Sequence, residues 1–263
     1  MPAQWRSNNS DPTLRTAVAP PVCPDAVSFA RDRLHFFPDP IQEQLLLCNS
    51  HQVILNCSRQ WGKSTLTAVR AVWEAVSQPA SFVLVASPSE RQSGEFVRKT
   101  STFAARLGLK TRGDGLNRHS LVLPNGSRIV AIPASEETIR GFSAVSLLII
   151  DEAARVSDEL YDALLPMLAT SNGRLWLLST PWGKEGFFYD EWTAGGPEWH
   201  RVIAKAPDCP RISPEFIERM RRTRPDNKFR REYLCEFMTA ENRLFDRDIV
   251  EAMFVDDEEA WTL

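Results

Sequence analysis

Long apolar runs, net charge and paired cysteines are scarce in this sequence, and each shortage excludes a class of protein. No apolar run approaches the roughly 20 residues of a membrane-spanning helix, and the N-terminus lacks the apolar core of a signal peptide, so we expect neither insertion nor export. The formal net charge is only −3, so any contact with nucleic acid must come from a local patch. The five cysteines include no Cys-x-x-Cys pair, which indicates reduced thiols rather than a disulfide framework.

The overall composition is that of a globular protein. Hydrophobic residues make up 43% and charged residues 25% of the 263 positions, which suits one large domain or two small ones. Residues 1–28 are rich in proline, serine, asparagine and threonine without periodicity, so we expect a disordered arm. We divide the remainder into an α/β core at 29–208, a helical lid or linker subdomain at 209–245 and a tail at 246–263.

A loop with a single glycine precedes the helical pattern that begins near Lys63. The loop follows the apolar run Val53-Ile54-Leu55 and reads Cys57-Ser58-Arg59-Gln60-Trp61-Gly62-Lys63-Ser64-Thr65. Free backbone N–H groups, a helix N-terminus, a lysine and a hydroxyl for magnesium are what a phosphate chain requires, so we interpret the loop as a nucleotide-phosphate cradle. Cys57 stands where the common pattern has its first glycine, and an ordinary helix start is the alternative. The order of strand, loop and helix favours the cradle.

The most apolar run of the chain ends in two acidic residues. Leu147-Leu148-Ile149-Ile150 is followed directly by Asp151-Glu152. Open α/β sheets build their sites at the carboxyl ends of parallel strands. We therefore expect one carboxylate to hold magnesium and the other to orient and polarise an attacking water. Acidic residues that cap the next helix are the alternative. The functional interpretation is favoured by the strands predicted between Lys63 and Asp151, which are a buried strand at Phe82-Val83-Leu84-Val85-Ala86 and a hairpin of two strands around Pro124-Asn125-Gly126.

Two further polar segments are candidates for contact with a nucleotide. Gln42 lies just inside a short predicted helix and can hydrogen-bond an adenine edge, although a solvent-facing glutamine is nearly as common. Ser179-Thr180-Pro181 follows the buried strand Leu175-Trp176-Leu177-Leu178. Hydroxyls at such a strand end can sense a γ-phosphate, and a plain strand end stopped by Pro181 is the alternative.

Basic residues are concentrated in two predicted helices that join at Pro225. Seven of them fall within 13 residues: Arg219, Arg221, Arg222, Arg224, Lys228, Arg230 and Arg231. A surface that faces a phosphate backbone is one interpretation. A solvated helix face paired with local glutamates is an equally good one.

Taken together, the motifs resemble the ATPase half of the large terminase subunit of tailed bacteriophages. The resemblance covers roughly residues 36–245 and rests on the order and spacing of Arg59-Gln60-Trp61-Gly62-Lys63-Ser64, Arg140-Gly141, Leu148-Ile149-Ile150-Asp151-Glu152 and Ser179-Thr180-Pro181-Trp182-Gly183. It implies an α/β fold, that of P-loop NTPases of the additional-strand catalytic-glutamate type. Such a fold has a mostly parallel central sheet flanked by helices, here with a small C-terminal helical linker region.

The resemblance also implies roles for the phosphate loop and the acidic pair. Lys63 would bind the β- and γ-phosphates of ATP, within a cradle that extends from Ser58 to Thr65. Ser64 would ligate Mg²⁺ with support from Asp151. Glu152 would be the catalytic carboxylate.

Two arginines and the segment after the sixth predicted strand complete the implied site. The family's loop likewise lacks the first glycine and carries an arginine, which gives Arg59 a role at the nucleotide. Ser179-Thr180-Pro181 would couple hydrolysis to motion. Arg140 would reach a neighbouring subunit's ATP as a trans-acting arginine finger, or serve a structural purpose in its turn.

The family resemblance sets the expected function and partners. We expect a motor in the cytoplasm of the bacterial host that hydrolyses ATP with Mg²⁺ and moves double-stranded DNA into a viral procapsid. It would act as a homo-oligomeric ring with the small terminase subunit and the portal protein. Relatives usually continue into a nuclease, but 18 residues follow Phe245, so we expect no nuclease activity. A helicase-like DNA-remodelling ATPase and a noncatalytic nucleotide-binding scaffold are the alternatives.

Overall fold

The computed structural model describes residues 24–134 and 141–238. The helices are α1 (Ala26–Ser28), α2 (Pro40–Leu47), α3 (Lys63–Ser77), α4 (Glu90–Arg106), α5 (Asp158–Leu164), α6 (Phe187–Thr193), α7 (Pro214–Thr223) and α8 (Asp226–Leu234). The strands are β1 (Gln52–Cys57), β2 (Phe82–Ser87), β3 (Ser120–Val122), β4 (Arg128–Pro133), β5 (Leu147–Asp151), β6 (Arg174–Ser179) and β7 (Trp199–Ala204). A π-helical turn, Phe29–Arg33, follows α1, and 3₁₀ turns occupy Ala153–Arg155, Leu165–Leu168 and Ala206–Asp208.

The strands form one seven-stranded sheet in the order β3-β4-β2-β5-β6-β1-β7. Strand β3 runs antiparallel to β4, and the other neighbouring pairs are parallel. Strand β6 lies between β1, which leads into the Gly-Lys-Ser loop, and β5, which ends in the acidic pair. Because these three strands are parallel, the segments that follow them meet at one edge of the sheet.

Both faces of the sheet are covered, which explains why its central strands are almost continuously apolar. Side chains alternate between the faces along each strand. Val53 and Leu55 pack with α3 and α4 on one face, whereas Ile54 packs with α5 and α6 on the other. The mostly parallel α/β sheet expected from the sequence is therefore confirmed.

Several local predictions are also confirmed. Strands β3 and β4 form the expected hairpin around Pro124-Asn125-Gly126, closed by a 3.0 Å hydrogen bond from Gly126 N to Leu123 O. The sequence also predicts an interruption of the helical segment at Pro166, because proline has no backbone N–H, and α5 passes into a 3₁₀ turn there. Pro225 separates α7 from α8. Strand β7 is an element that the sequence analysis did not predict.

The packed structure begins earlier than the predicted boundary at residue 28. Asp25 caps α1, and Ala26 and Val27 are buried against the core. Residues 1–23 and 239–263, which contain most of the predicted arm and all of the predicted tail, lie outside the described residues, as does Arg140. No helix in the described ranges has the length and apolarity that a membrane crossing requires.

The helical subdomain is attached directly to the loop that follows β1. Arg59 N donates a 3.0 Å hydrogen bond to Glu232 O in α8. Asn56 Nδ2 donates to Cys235 O, which lies just beyond α8, at 2.9 Å. Phe229 and Tyr233 pack α8 onto the 3₁₀ turn that follows β7. The position of α8 is therefore tied to the backbone of the loop between β1 and α3.

Candidate active site

The loop between β1 and α3 is held at its start and turns sharply before the helix. Ser58 N donates to Ala204 O at 2.9 Å, which ties the loop to the end of β7. Gln60 and Gly62 then adopt positive φ values of 62° and 103°. The φ of Gly62 favours glycine, and a Cβ at this position would also make a tight 3.3 Å contact with Gln42 Nε2.

The turn leaves backbone donors without partners at the start of α3. No described residue accepts a hydrogen bond from the N–H groups of Trp61, Gly62, Lys63 or Ser64, whereas Thr65 N already bonds to Gly62 O at 3.0 Å. Unpaired N–H groups and the positive end of the helix dipole attract anions. The loop borders a cavity of about 260 Å³, lined by Ser58, Gln60, Trp61, Gly62, Lys63, Ser64, Thr65 and Lys99.

Lys63 and Glu152 are in contact across the sheet edge. Lys63 Nζ donates to Glu152 Oε1 at 2.6 Å, and the two side chains are 14% and 21% exposed. Burial by itself would lower the pKa of Lys63, but interactions with Cys57, Asp151 and Glu152 raise it overall, so the ammonium stays charged. Glu152 has a left-handed backbone (φ 54°, ψ 41°) at the point where β5 passes into the 3₁₀ turn.

Asp151 occupies a more enclosed position than Glu152. Its carboxylate is buried and accepts a 3.1 Å hydrogen bond from Glu152 N. Burial raises the pKa of Asp151, against the effect of the nearby Lys63 ammonium. Adjacent carboxylates thus have different surroundings, and this suits a division between metal binding and work on a water molecule.

Ser64 and Asp151 supply the chemistry that Mg²⁺ prefers, since a hydroxyl and a carboxylate are hard oxygen donors. The described ranges contain no group of three or more histidine, cysteine, aspartate or glutamate side chains that could hold a metal. A site with one carboxylate and one hydroxyl fits Mg²⁺, which takes further ligands from phosphate oxygens and water.

A larger cavity of about 450 Å³ opens beside the loop. Six of its lining residues belong to predicted site segments: Arg59, Gln60, Lys63, Glu152, Thr180 and Pro181. The other six were not predicted as site residues: Pro88, Gln92, Arg155, Trp182, Arg231 and Glu232. The structure therefore brings the three predicted segments together and adds α8 as a further wall.

The remaining predicted residues have varied environments. Gln42 is buried, and its side-chain oxygen accepts from Asp39 N at 3.1 Å, so the adenine contact remains a prediction for its amino group alone. Ser179 is buried and donates to Thr180 O at 2.8 Å. Thr180 Oγ1 is buried without a partner in the described part of the chain. Burial raises the pKa of the Cys57 thiol to about 12, so this substitute for the first glycine is neutral.

Two arginines of the basic cluster have separate environments. Arg230 pairs with Glu236 at 2.6 Å, as expected for a solvated helix face. Arg231 instead faces the larger cavity, with its guanidinium 4.3 Å from the centre of the Trp182 ring.

Lys99, which lines the smaller cavity, was not predicted as a site residue, because a lone lysine on α4 carries no sequence signal. Burial lowers its pKa, against the attraction of Asp151.

A strand inserted between the loop strand and the acidic strand distinguishes the additional-strand group of nucleotide-binding folds, and β6 has this position here. The chain thus has the P-loop NTPase fold expected from the sequence.

Comparison with known proteins shows to which family of P-loop NTPases the chain belongs. Residues 54–252 match the family described as terminase large subunit, T4likevirus-type, N-terminal, and the chain belongs to it. The terminase large subunit of Escherichia phage T5 is 29% identical over 206 residues, which cover 74% of this chain and 46% of that protein. The chain spans about half the length of the terminase large subunits that it matches.

Solved structures agree with this assignment at the level of the fold. The ATPase domain of the large terminase of Thermus phage P74-26 superposes with a TM-score of 0.71 at 22% identity and covers 79% of this chain and 97% of that domain. The large terminase of another thermophilic bacteriophage, in complex with ADP, gives a TM-score of 0.61 at 15% identity, over 85% of this chain and 55% of that protein.

Proposed function

We propose that this chain is the ATP-hydrolysing motor part of a viral DNA-packaging enzyme and drives double-stranded DNA into a procapsid. The contact between Lys63 and Glu152 carries the proposal, because it joins a phosphate-loop lysine to a carboxylate beside unpaired backbone donors. Membership of the terminase family and the ADP complex of the thermophilic phage's large terminase support it.

The proposed reaction begins with an exchange of partners at Lys63. The phosphates of ATP accept hydrogen bonds from the N–H groups at the start of α3, and Lys63 turns from Glu152 toward them. Glu152 is thereby released to orient a water in line with the γ-phosphate and to accept its proton. Ser64 and Asp151 would hold Mg²⁺, which neutralises phosphate charge when bound.

The finer parts of the proposal concern coupling and assembly. The hydroxyl of Thr180 is buried without a partner among the described residues, which supports the proposal that Ser179-Thr180-Pro181 responds to the terminal phosphate and transmits the change. Arg59 and a neighbouring subunit's Arg140 would stabilise the transferring phosphoryl group within a homo-oligomeric ring. Double-stranded DNA, the small terminase subunit and the portal protein are the proposed partners, in the cytoplasm of the bacterial host.

Phosphate release from Mg·ATP, with and without blunt linear double-stranded DNA, tests the proposed function. Lys63→Ala should abolish ATP binding and turnover, because it removes the phosphate partner. Lys110→Ala, an exposed lysine outside both cavities, should leave turnover unchanged. Turnover that survives in Lys63→Ala would refute the site.

The same preparations separate the competing functions. Strand displacement on a forked duplex would favour a helicase, and nucleotide binding without phosphate release would favour a scaffold. DNA-dependent turnover without strand displacement is the expected result.

A further inference from the structure

Trp182 lies between two arginines from different parts of the chain. The guanidinium carbon of Arg155 is 4.0 Å from the centre of the indole ring, and that of Arg231 is 4.3 Å from it. Trp182 directly follows the predicted coupling segment, Arg155 ends the turn after Glu152, and Arg231 belongs to α8. Three segments that border the larger cavity therefore meet on one aromatic ring.

The two arginines differ in what else they contact. The guanidinium of Arg231 lies 3.8 Å from Glu232 Oε1. Arg59 Nε lies 3.4 Å from the same oxygen. Arg155 has no carboxylate partner within the described ranges, and its side chain is exposed beside the cavity. A guanidinium held only by a partly exposed aromatic face is available for a stronger partner, because charge-assisted hydrogen bonds to phosphate exceed cation–π contacts of this kind.

The charges around the larger cavity indicate what that partner is. Among the described residues, four cations line it, namely Arg59, Lys63, Arg155 and Arg231, against the two carboxylates of Glu152 and Glu232. The two carboxylates already contact Lys63 and Arg59. The unbalanced positive charge therefore suits an anion with several charges, such as the terminal phosphate of a nucleoside triphosphate.

Arg155 is coupled by its backbone to the acidic pair. Arg155 N donates to Glu152 O at 2.8 Å, so the turn that carries the arginine begins at the residue whose carboxylate contacts Lys63. A movement of Arg155 toward a phosphate would also free one face of Trp182, two residues beyond Thr180. Movement of Arg155 would thus affect both the turn that follows Glu152 and the segment Ser179-Thr180-Pro181.

We propose that Arg155 is a ligand of the γ-phosphate and that the Trp182 ring is its resting position when no triphosphate is bound. The inference rests on the proposed nucleotide site and adds to it a residue that discriminates ATP from ADP. ATP draws the guanidinium from the ring, whereas ADP leaves it in place. Arg231 keeps its contact with Trp182 and so retains the link to α8.

Affinities of Arg155→Ala for ATPγS and for ADP, both with Mg²⁺, test the proposal. One lost charge-assisted contact should weaken ATPγS binding by about ten-fold or more, while ADP binding changes by less than about two-fold. Arg219→Ala is the matched control, because Arg219 also stacks on an aromatic ring, that of Phe216, but outside the cavity. It should change neither affinity.

A spectroscopic readout distinguishes a ligand from a residue that only supports the fold. The chain has eight tryptophans, so the emission of Trp182 is taken as the difference between the unmodified protein and Trp182→Phe. ATPγS should alter this difference and ADP should not. In Arg155→Ala, neither nucleotide should alter it.

The outcomes separate this inference from the proposed function. An unchanged ratio of ATPγS to ADP affinity in Arg155→Ala, whether both affinities fall together or neither falls, overturns the role of Arg155 alone. Failure of the unmodified protein to bind either nucleotide overturns the proposed site and this inference with it.

Discussion

Replacement of Glu152 by glutamine should separate nucleotide binding from hydrolysis. Glutamine keeps the shape and the left-handed backbone position but loses the negative charge. It can neither accept the proton of an attacking water nor form an ion pair with Lys63. We expect turnover to fall by about 10²–10⁴-fold, the usual contribution of a general base.

Affinity for ATP should rise in the same variant. Lys63 Nζ contacts Glu152 Oε1 at 2.6 Å, and both side chains are largely shielded from water, so ATP must displace a charge-assisted hydrogen bond. Such a bond contributes about 1.5–3 kcal/mol and a neutral acceptor roughly half of this. If the hydrogen bond between Lys63 and residue 152 is weaker by about 1 kcal/mol, ATP should bind about five-fold more tightly.

Calorimetric titration with Mg·ATP and single-turnover phosphate release measure the two effects. Glu95→Gln, which removes a carboxylate from an exposed ion pair with Arg98, is the control and should alter neither. Turnover of Glu152→Gln within two-fold of the unmodified protein would refute the catalytic assignment. Lost turnover with unchanged or weaker binding would refute the exchange of partners at Lys63.

Three further predictions concern stability. Gly62→Ala should lower the free energy of unfolding by about 1–2 kcal/mol because of its φ of 103°, and should also weaken ATP binding. Gly108→Ala, at φ 70° with open space around it, should lower the free energy of unfolding by a similar amount without an effect on ATP binding. Glu74→Ala should lower the free energy of unfolding by about 3–5 kcal/mol, since the buried carboxylate forms ion pairs with two arginines at 3.0 and 3.3 Å. Urea denaturation measures this loss and should show no comparable one for Glu95→Ala. Partial burial opposes the charge of Asp114, but hydrogen bonds within its loop lower the pKa to about 2. Its folded-state pKa is below the ordinary 3.8, so its stabilisation is present at neutral pH and is lost as the pH falls through about 2. The deficit of Asp114→Ala at pH 7 should therefore shrink in melting curves recorded below pH 4, and a deficit independent of pH would contradict this account.

The segments that build the site were predictable because their signals are local. Buried parallel strands are covered on both faces and appear as continuous apolar runs, as in the segment that ends at Asp151. A glycine followed by a lysine and a hydroxyl, between such a strand and a helical pattern, indicates a phosphate loop. The hairpin at Pro124-Asn125-Gly126 was equally visible, since its turn residues are adjacent.

Other features had no local signal. Strand β7 lies at the sheet edge, leaves Ile203 41% exposed and mixes buried with half-buried positions, so it has neither a continuous apolar run nor a strict alternation. Arg231 was visible only as one member of a basic cluster, in which a solvated side chain and a functional one look the same. Arg155 and Trp182 were not recognised as partners, because nothing in the segment of either residue refers to the other.

The sequence by itself determined the strands, loop and helices around the Gly-Lys-Ser loop and the acidic pair, though not β7, and which residue types stand at their ends. These properties depend on periodicity and turn chemistry within a few residues. Only the tertiary structure decided that Lys63 contacts Glu152 and that Arg155 lies on Trp182. Such contacts depend on the order of strands in the sheet, which results from covering both faces of the whole sheet at once and is recorded in no single segment.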